Sequence, residues 1–402
     1  MLSYDDITAA RERLAGLVSH TPLVYSQTLS RQAGARVFLK LENLQTTGSF
    51  KLRGSLNKIR LLQDRGELTG VVAASAGNHA QGVAYAASRF GIPATIVMPQ
   101  WASISKQLAT AGYGGQVVIS GPDLAGALGR ARELAAAGLT LIHPYDDPEV
   151  IAGQGTMGLE IVADLPDVDT VIVPVGGGGL AAGVAVALKE ARPGVRVIGV
   201  QTERVPAARE ALAAGQPVTV PAASTLADGI NVTRVGEHTF PLLQRHLDEV
   251  VLVSEAEIAA AVLLLLDRKK VLAEGAGAVP LAALQGPLAG RDLGKSLVLL
   301  LSGGNIDIPV LERVLQRGLL NARRVLTLRV VLSDTPGSLG RLTTLVGQAG
   351  ANILHLYHDR RSRTLPLDQT RVELDLETRG ERHCGEIVKT LRADGYVVEE
   401  KV

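Results

Sequence analysis

T-V-I-V-P-V-G-G-G-G-L occupies residues 170–180. A mostly β-branched run without polar alternation meets four glycines, and an Ala/Val-rich helical segment follows. A strand that is apolar on both faces and leads through a turn into a helix is the unit of a parallel sheet covered by helices. The same order recurs on either side. V-V-A-A-S (71–75) reads as a strand and turn before a helix running through residue 90, and A-T-I-V-M-P (94–99) as the next strand. Residues 116–120 form another, before an Ala/Leu/Arg helix at 123–137. V-R-V-I-G-V (195–200) and V-L-L-L-S (298–302) continue the series. The expectation is an α/β core with two open, twisted, mostly parallel sheets.

The pattern changes after residue 324. V-L-T-L-R-V-V-L (325–332) alternates as a strand, and D-T-P-G-S-L (334–339) turns into a helix ending near residue 349. Strands at 352–359 and 370–377, a helix at 381–394 and a strand at 396–401 complete the order β-α-β-β-α-β, a ferredoxin-like unit. The expected domains are residues 1–320 and 325–402, with a linker at 321–324 and a small lobe of the first domain near 53–155.

Composition narrows the function. The chain has 402 residues, with 41 Lys+Arg against 40 Asp+Glu. Such balance argues against nucleic acid or an anionic membrane as the main partner. One cysteine, Cys384, excludes an intrachain disulfide framework and a cysteine-rich zinc site; it reads as a small buried residue. The longest apolar runs, 258–266 and 297–301, fall far short of the ~20 residues of a spanning helix, and the acidic N-terminus lacks signal-peptide character. The expected location is the cytoplasm.

Four motifs carry chemistry. S-F-K-L-R-G (49–54) sets Lys51 between an aromatic and a turn, where burial would lower its pKa and make a nucleophile; a surface lysine in a basic loop is the plainer reading. S-A-G-N-H-A-Q-G (75–82) opens a helix after a strand, so its small residues can turn several N–H groups towards one anion. His79 in it is a base, a ligand or, with no second ligand at metal spacing, a structural residue. Gly176–Gly179 permit close approach to a phosphate. Gly177, Gly179 and Ala182 also fit G-x-G-x-x-A with Glu203 about twenty residues on, the weaker dinucleotide reading. S-G-G-N (302–305) ends a strand with a serine that can make one hydrogen bond or simply turn the chain. An amine, two anion cradles and one small polar group are the needs of a phosphorylated aldehyde cofactor and a carboxylate substrate.

These motifs, in this order and with P-Y-D-D-P-E-V-I-A-G-Q-G-T (144–156), T-L-A-D-G-I (225–230) and A-E-G-A-G-A (273–278), resemble the threonine/serine dehydratase family of fold type II pyridoxal-phosphate enzymes. The C-terminal turn of Asp334, Pro336, Gly337 and Leu339 resembles an ACT domain, and one such domain on this core resembles the medium-length branch of that family. The resemblance implies a two-lobed core and assigns roles. Lys51 would form the Schiff base with pyridoxal phosphate and remove the substrate α-proton. Phe50 and Asn78 would flank the ring, Gly176, Gly177, Gly178 and Gly179 would bind the phosphate, and Ser302 would face the ring nitrogen. Ser75, Ala76, Gly77, Asn78 and His79 would hold the substrate carboxylate. The implied reaction takes L-threonine to 2-oxobutanoate and ammonia, with L-serine to pyruvate as a side activity.

Related activities are disfavoured at particular residues. A racemase of this group is expected to carry a serine where Ala76 stands, and a carboxylate for a divalent cation where Gln201 stands, so no metal is expected. A non-catalytic amino-acid sensor would not need Lys51, the four glycines and Ser302 intact. The ACT-like unit implies an amino-acid effector such as isoleucine or valine near Asp334–Leu339, Asn352 and Ile353, and a homodimer or homotetramer. Trp101 stands where a small or acidic residue is expected and reads as a lid contact or, the plainer reading, a surface packing residue. Arg53 and Tyr145 lie near the site loops without an assigned role.

Overall fold

The structure is a computed structural model describing residues 2–360 and 365–401. The chain divides into two compact units, Met1–Leu311 and Glu312–Val402. The boundary falls inside the helix Ile308–Asn321, so residues 321–324 lie in the second unit.

The first unit carries strands β1 (Leu23–Tyr25), β2 (Arg36–Leu41), β3 (Val71–Ala74), β4 (Ala94–Met98), β5 (Gln116–Ile119), β6 (Thr140–Leu141), β7 (Thr170–Pro174), β8 (Arg196–Thr202), β9 (Glu249–Val253) and β10 (Ser296–Leu301). They form two sheets, ordered β1-β2-β10-β7-β8-β9 and β5-β4-β3-β6. Every neighbouring pair is parallel except β1 with β2. β7 and β10 are buried along their whole length, which is why they read as unbroken apolar runs.

β1, β2, β6 and β9 are additions to the strands expected from the sequence. β2 reads R-V-F-L-K-L, and its two bases obscure it. Lys40 is tolerated inside because its Nζ pairs with Glu160 (2.6 Å) and donates to Thr21 O (2.8 Å). The helices Pro148–Asp164 and Gly179–Ala191 cover the larger sheet. Their approach requires Gly183, where a Cβ would collide with Ile151 O. Leu52, Leu56 and Ile59 of the helix Lys51–Asp64 pack with Val71, Val83 and Ile96 around the smaller sheet.

The second unit holds β11 (Val325–Ser333), β12 (Asn352–Asp359), β13 (Gln369–Glu377) and β14 (Val397–Lys401), with helices Ser338–Gln348 and Glu381–Ala393. The sheet is antiparallel throughout, ordered β12-β13-β11-β14. Alternate residues of β11, Leu326, Leu328, Val330 and Leu332, are buried with Leu342, Val346, Ile387 and Leu391. Cys384 is buried in this core and bonds Arg323 O through Sγ at 3.3 Å. Among the described residues no helix is long and apolar enough to cross a membrane.

Candidate active site

Two loops close on one another at the end of β10. The Phe50 N–H donates to Ser302 O (3.0 Å) and the Gly304 N–H to Gly48 O (2.9 Å), while Ser49 and Gly303 form an antiparallel bridge. Gly48 has φ +72°, and a Cβ there would collide with the Asn305 side chain. This closure sets Lys51, first residue of its helix, beside the buried Ser302. The Lys51 Nζ donates to Pro144 O at 2.7 Å and lies 5.0 Å from the centre of the Phe50 ring. Burial lowers the amine to about 8, against the opposing charge of Glu274. A fraction of it is therefore neutral, and nucleophilic, near neutral pH.

Asn78 opens the helix Asn78–Arg89 after β3. Its Oδ1 accepts from Asn305 Nδ2 (2.8 Å), and its own Nδ2 donates to Glu274 Oε1 (2.7 Å). Ser75 Oγ accepts the Gly77 N–H at 3.2 Å, and no side chain caps this helix, so its first N–H groups are left for another acceptor. The His79 ring is committed elsewhere. Nε2 donates to Ile142 O at 2.9 Å, and burial, with the charge of Lys51, pushes the ring down to about 3. His79 is thus a neutral structural histidine, and only its backbone can serve the loop.

Gly176–Gly179 join β7 to the helix Gly179–Ala191. Gly178 has φ +102°, and a Cβ there would lie 2.8 Å from Thr239. The Gly177 carbonyl accepts from Thr239 Oγ1 (2.7 Å) and from the Gly236 N–H (3.2 Å). The N–H groups of Gly176, Gly177 and Gly178 meet no acceptor among the described residues, and no side chain caps the helix. Tyr145 closes the loop from one side, its ring against Gly177 and its carbonyl against Gly179. The sequence alone assigns Tyr145 no role.

Residues 14–303 match the family described as pyridoxal-phosphate dependent enzyme. The chain belongs to this family. It is 47% identical to the L-threonine ammonia-lyase of Thermotoga maritima over 399 residues, 99% of either chain. The structure resembles the processed form of threonine deaminase isoform 2 from Solanum lycopersicum, with TM-score 0.75 and 38% identity over 78% of this chain and 92% of that one. It also resembles the serine racemase of Dictyostelium discoideum, with TM-score 0.72 and 34% identity over 76% of this chain and 99% of that one.

The residues present fit the family's cofactor. Pyridoxal phosphate needs an amine of lowered pKa, which Lys51 supplies, and an anion cradle, which the open N–H groups of Gly176–Gly178 and the uncapped helix start supply. The Phe50 ring lies beside this amine, Ser302 O accepts the Phe50 N–H, and Asn78 is tied to the second loop through Asn305.

Several groups here escaped the sequence reading. Glu274 and Asn305 lie within motifs of the resemblance but received no role. Lys106, with Ser103 and Ser105, reaches from the smaller lobe to Asp307 and Asp228 of the larger: the serine Oγ atoms donate to Asp307 Oδ1 at 3.2 and 2.9 Å, and Lys106 Nζ lies 3.4 Å from Asp307 and 3.5 Å from Asp228. Trp101, just before this contact, is 64% exposed, at the surface. Arg53 is fully buried and bonds Glu42 and Glu160. Gln201 Oε1 accepts the Ala208 and Arg209 N–H groups, 2.9 and 3.1 Å, at the start of the helix Ala207–Ala214. Among the described residues no group of three His, Cys, Asp or Glu is arranged to hold a metal.

In the second unit Asp334 pairs with Arg360 (2.8 Å) beside Pro336, and Gly337, at φ +90°, precedes the helix Ser338–Gln348. Leu339 packs against the core, Asn352 Nδ2 donates to Glu377 (3.1 Å), and Ile353 is partly exposed on β12.

Proposed function

We propose that this protein is a pyridoxal-phosphate-dependent L-threonine ammonia-lyase that forms 2-oxobutanoate and ammonia, with L-serine to pyruvate as a side activity. The observation that carries this reading is the 47% identity to an L-threonine ammonia-lyase over 99% of both chains. The site chemistry supports it. Lys51 would hold the cofactor, and Gly176–Gly179 its phosphate. When bound, pyridoxal phosphate supplies an electron sink for the charge left by α-proton removal. The Lys51 amine, made less basic by burial, takes that proton. The N–H groups of the loop from Ser75 to His79 would receive the substrate carboxylate. Ser302 would offer the ring nitrogen a neutral hydroxyl rather than a carboxylate, a weaker hold on a ring proton that would favour loss of the β-hydroxyl over return of the α-proton. Ala76 has no proton to deliver to the opposite face, which disfavours racemisation.

The unit Glu312–Val402 reads as an ACT-like regulatory domain. It would bind an amino-acid effector, isoleucine or valine, near Asp334–Leu339, Asn352 and Ile353, in a homodimer or homotetramer. Its β-α-β-β-α-β order supports this. The test is steady-state turnover of the cofactor-loaded protein on L-threonine and L-serine, with D-serine measured in parallel. Formation of 2-oxobutanoate is expected; D-serine formed as fast as pyruvate would overturn the assignment.

A further inference from the structure

Glu274 is almost fully buried, 4% exposed, and takes no part in the chemistry above. Its pocket is shaped around the carboxyl. A Cβ on Gly303 would lie 2.6 Å from Oε1, and one on Gly229 would lie 3.3 Å from it. The Glu274 N–H donates to Gly303 O at 3.1 Å, so backbone and side chain are both tied to the site. Oε1 accepts from Asn78 Nδ2 at 2.7 Å. On the other side of Asn78, the Asn305 amide donates one hydrogen to Thr47 O (2.7 Å) and the other to Asn78 Oδ1 (2.8 Å). Turned over, the Asn78 amide would set N–H against N–H at Asn305 and oxygen against oxygen at Glu274. One orientation is therefore enforced, with a single Asn78 hydrogen outside these contacts.

We propose that Glu274 is a positioning residue for the reaction: it locks the Asn78 amide in one orientation and so fixes which atom of that amide meets the cofactor ring. The inference rests on the reading that Asn78 stands beside that ring. The charged groups facing the carboxyl are Lys51, Lys106 and Asp228. Burial and the charge of Asp228 push Glu274 up to about 8, against the Asn78 hydrogen bond and the two lysines. As a carboxylate Glu274 can only accept from Asn78; in the neutral form it still offers Asn78 an oxygen, and the hydrogen bond from Asn305 to Oδ1 keeps that pairing the favoured one.

The test compares the visible absorbance of the lysine-bound cofactor, and turnover, in wild type, Glu274→Ala, Glu274→Gln and Asn305→Ala holoenzymes. The alanine variant at 274 is expected to displace the band and lower kcat several-fold, up to about tenfold, the scale of one lost hydrogen bond, with KM for threonine little changed. The glutamine variant, whose oxygen still accepts from Asn78, is expected to restore the band. Asn305→Ala, which releases the amide from the opposite side, must displace the band in the same sense. An unmoved band in either alanine variant, or a glutamine variant displaced as far as Glu274→Ala, overturns the proposal. The absorbance needs no substrate. A wild-type holoenzyme that leaves threonine unchanged would overturn the assigned reaction, while the band comparison would still decide the role of Glu274.

Discussion

Lys51 owes its reactivity to its surroundings. Burial removes water from the ammonium and lowers it to about 8, while Glu274 limits the shift. The neutral amine is the form that attacks an aldehyde. The rate at which the apoprotein takes up pyridoxal phosphate is therefore expected to rise with pH through about 8 and then level, whereas an ordinary lysine would keep gaining past about pH 10. Stopped-flow absorbance measures this, and Lys51→Ala should show no lysine-bound band at any pH. Two residues further on, Arg53 is fully buried with Glu42 and Glu160 and anchors the start of the same helix. Arg53→Met removes the cation and leaves the buried Glu42 without an ionic partner, while Glu160 keeps Lys40; the expected loss is about 3–5 kcal/mol in chemical denaturation. Lys51, Asn78 and Ser302 could be singled out because each stands in a compact local motif. Glu274 was not, because its meaning lies in an amide 196 residues away, joined to it only by the fold. His79 had a legible position but an open role until its ring was found bonded to Ile142 O.

The segment before and into the helix Ile104–Gly112 joins the smaller sheet's lobe to the larger through Ser103, Ser105 and Lys106 on Asp307, with Asp228 alongside. These groups are partly solvated, so the contact adds little to global stability, about 0–1 kcal/mol. It does tie the two sides together across the site. Asp307→Ala is expected to raise KM for threonine several-fold and to leave the thermal midpoint nearly unchanged; an unchanged KM would mean that substrate binding does not depend on this contact. The elements were unevenly legible for a physical reason. β11 shows one buried face, so its alternation is visible in V-L-T-L-R-V-V-L, and β7 and β10, buried on both faces, show as apolar runs. β2 hides because Lys40 is buried by a partner, Glu160, that lies 120 residues on. β1 and β6, with three and two residues, are too short to carry a period.

The two units have separate cores, one built on parallel sheets between helices and one on a single antiparallel sheet. Separate cores let an effector act on the second without touching the chemistry of the first, provided its binding free energy differs between two states of the assembly. Isoleucine or valine is expected to change the threonine saturation curve, and by reciprocity threonine must change the affinity for that effector. The turn at Gly337 offers a discriminating change. Its φ of +90° suits glycine, and a Cβ there meets no neighbour, so Gly337→Ala strains the turn without crowding it. Backbone strain of this kind is worth about 1–3 kcal/mol, enough to move a nearby binding site by roughly ten- to a hundredfold. The variant should keep basal turnover on threonine while its response to isoleucine or valine shifts to higher concentration, read in a full saturation series with and without effector. If wild-type turnover is indifferent to every amino acid tested, the second unit has no regulatory role through this site; if wild type responds and Gly337→Ala responds identically, the effector binds away from the Asp334–Leu339 turn.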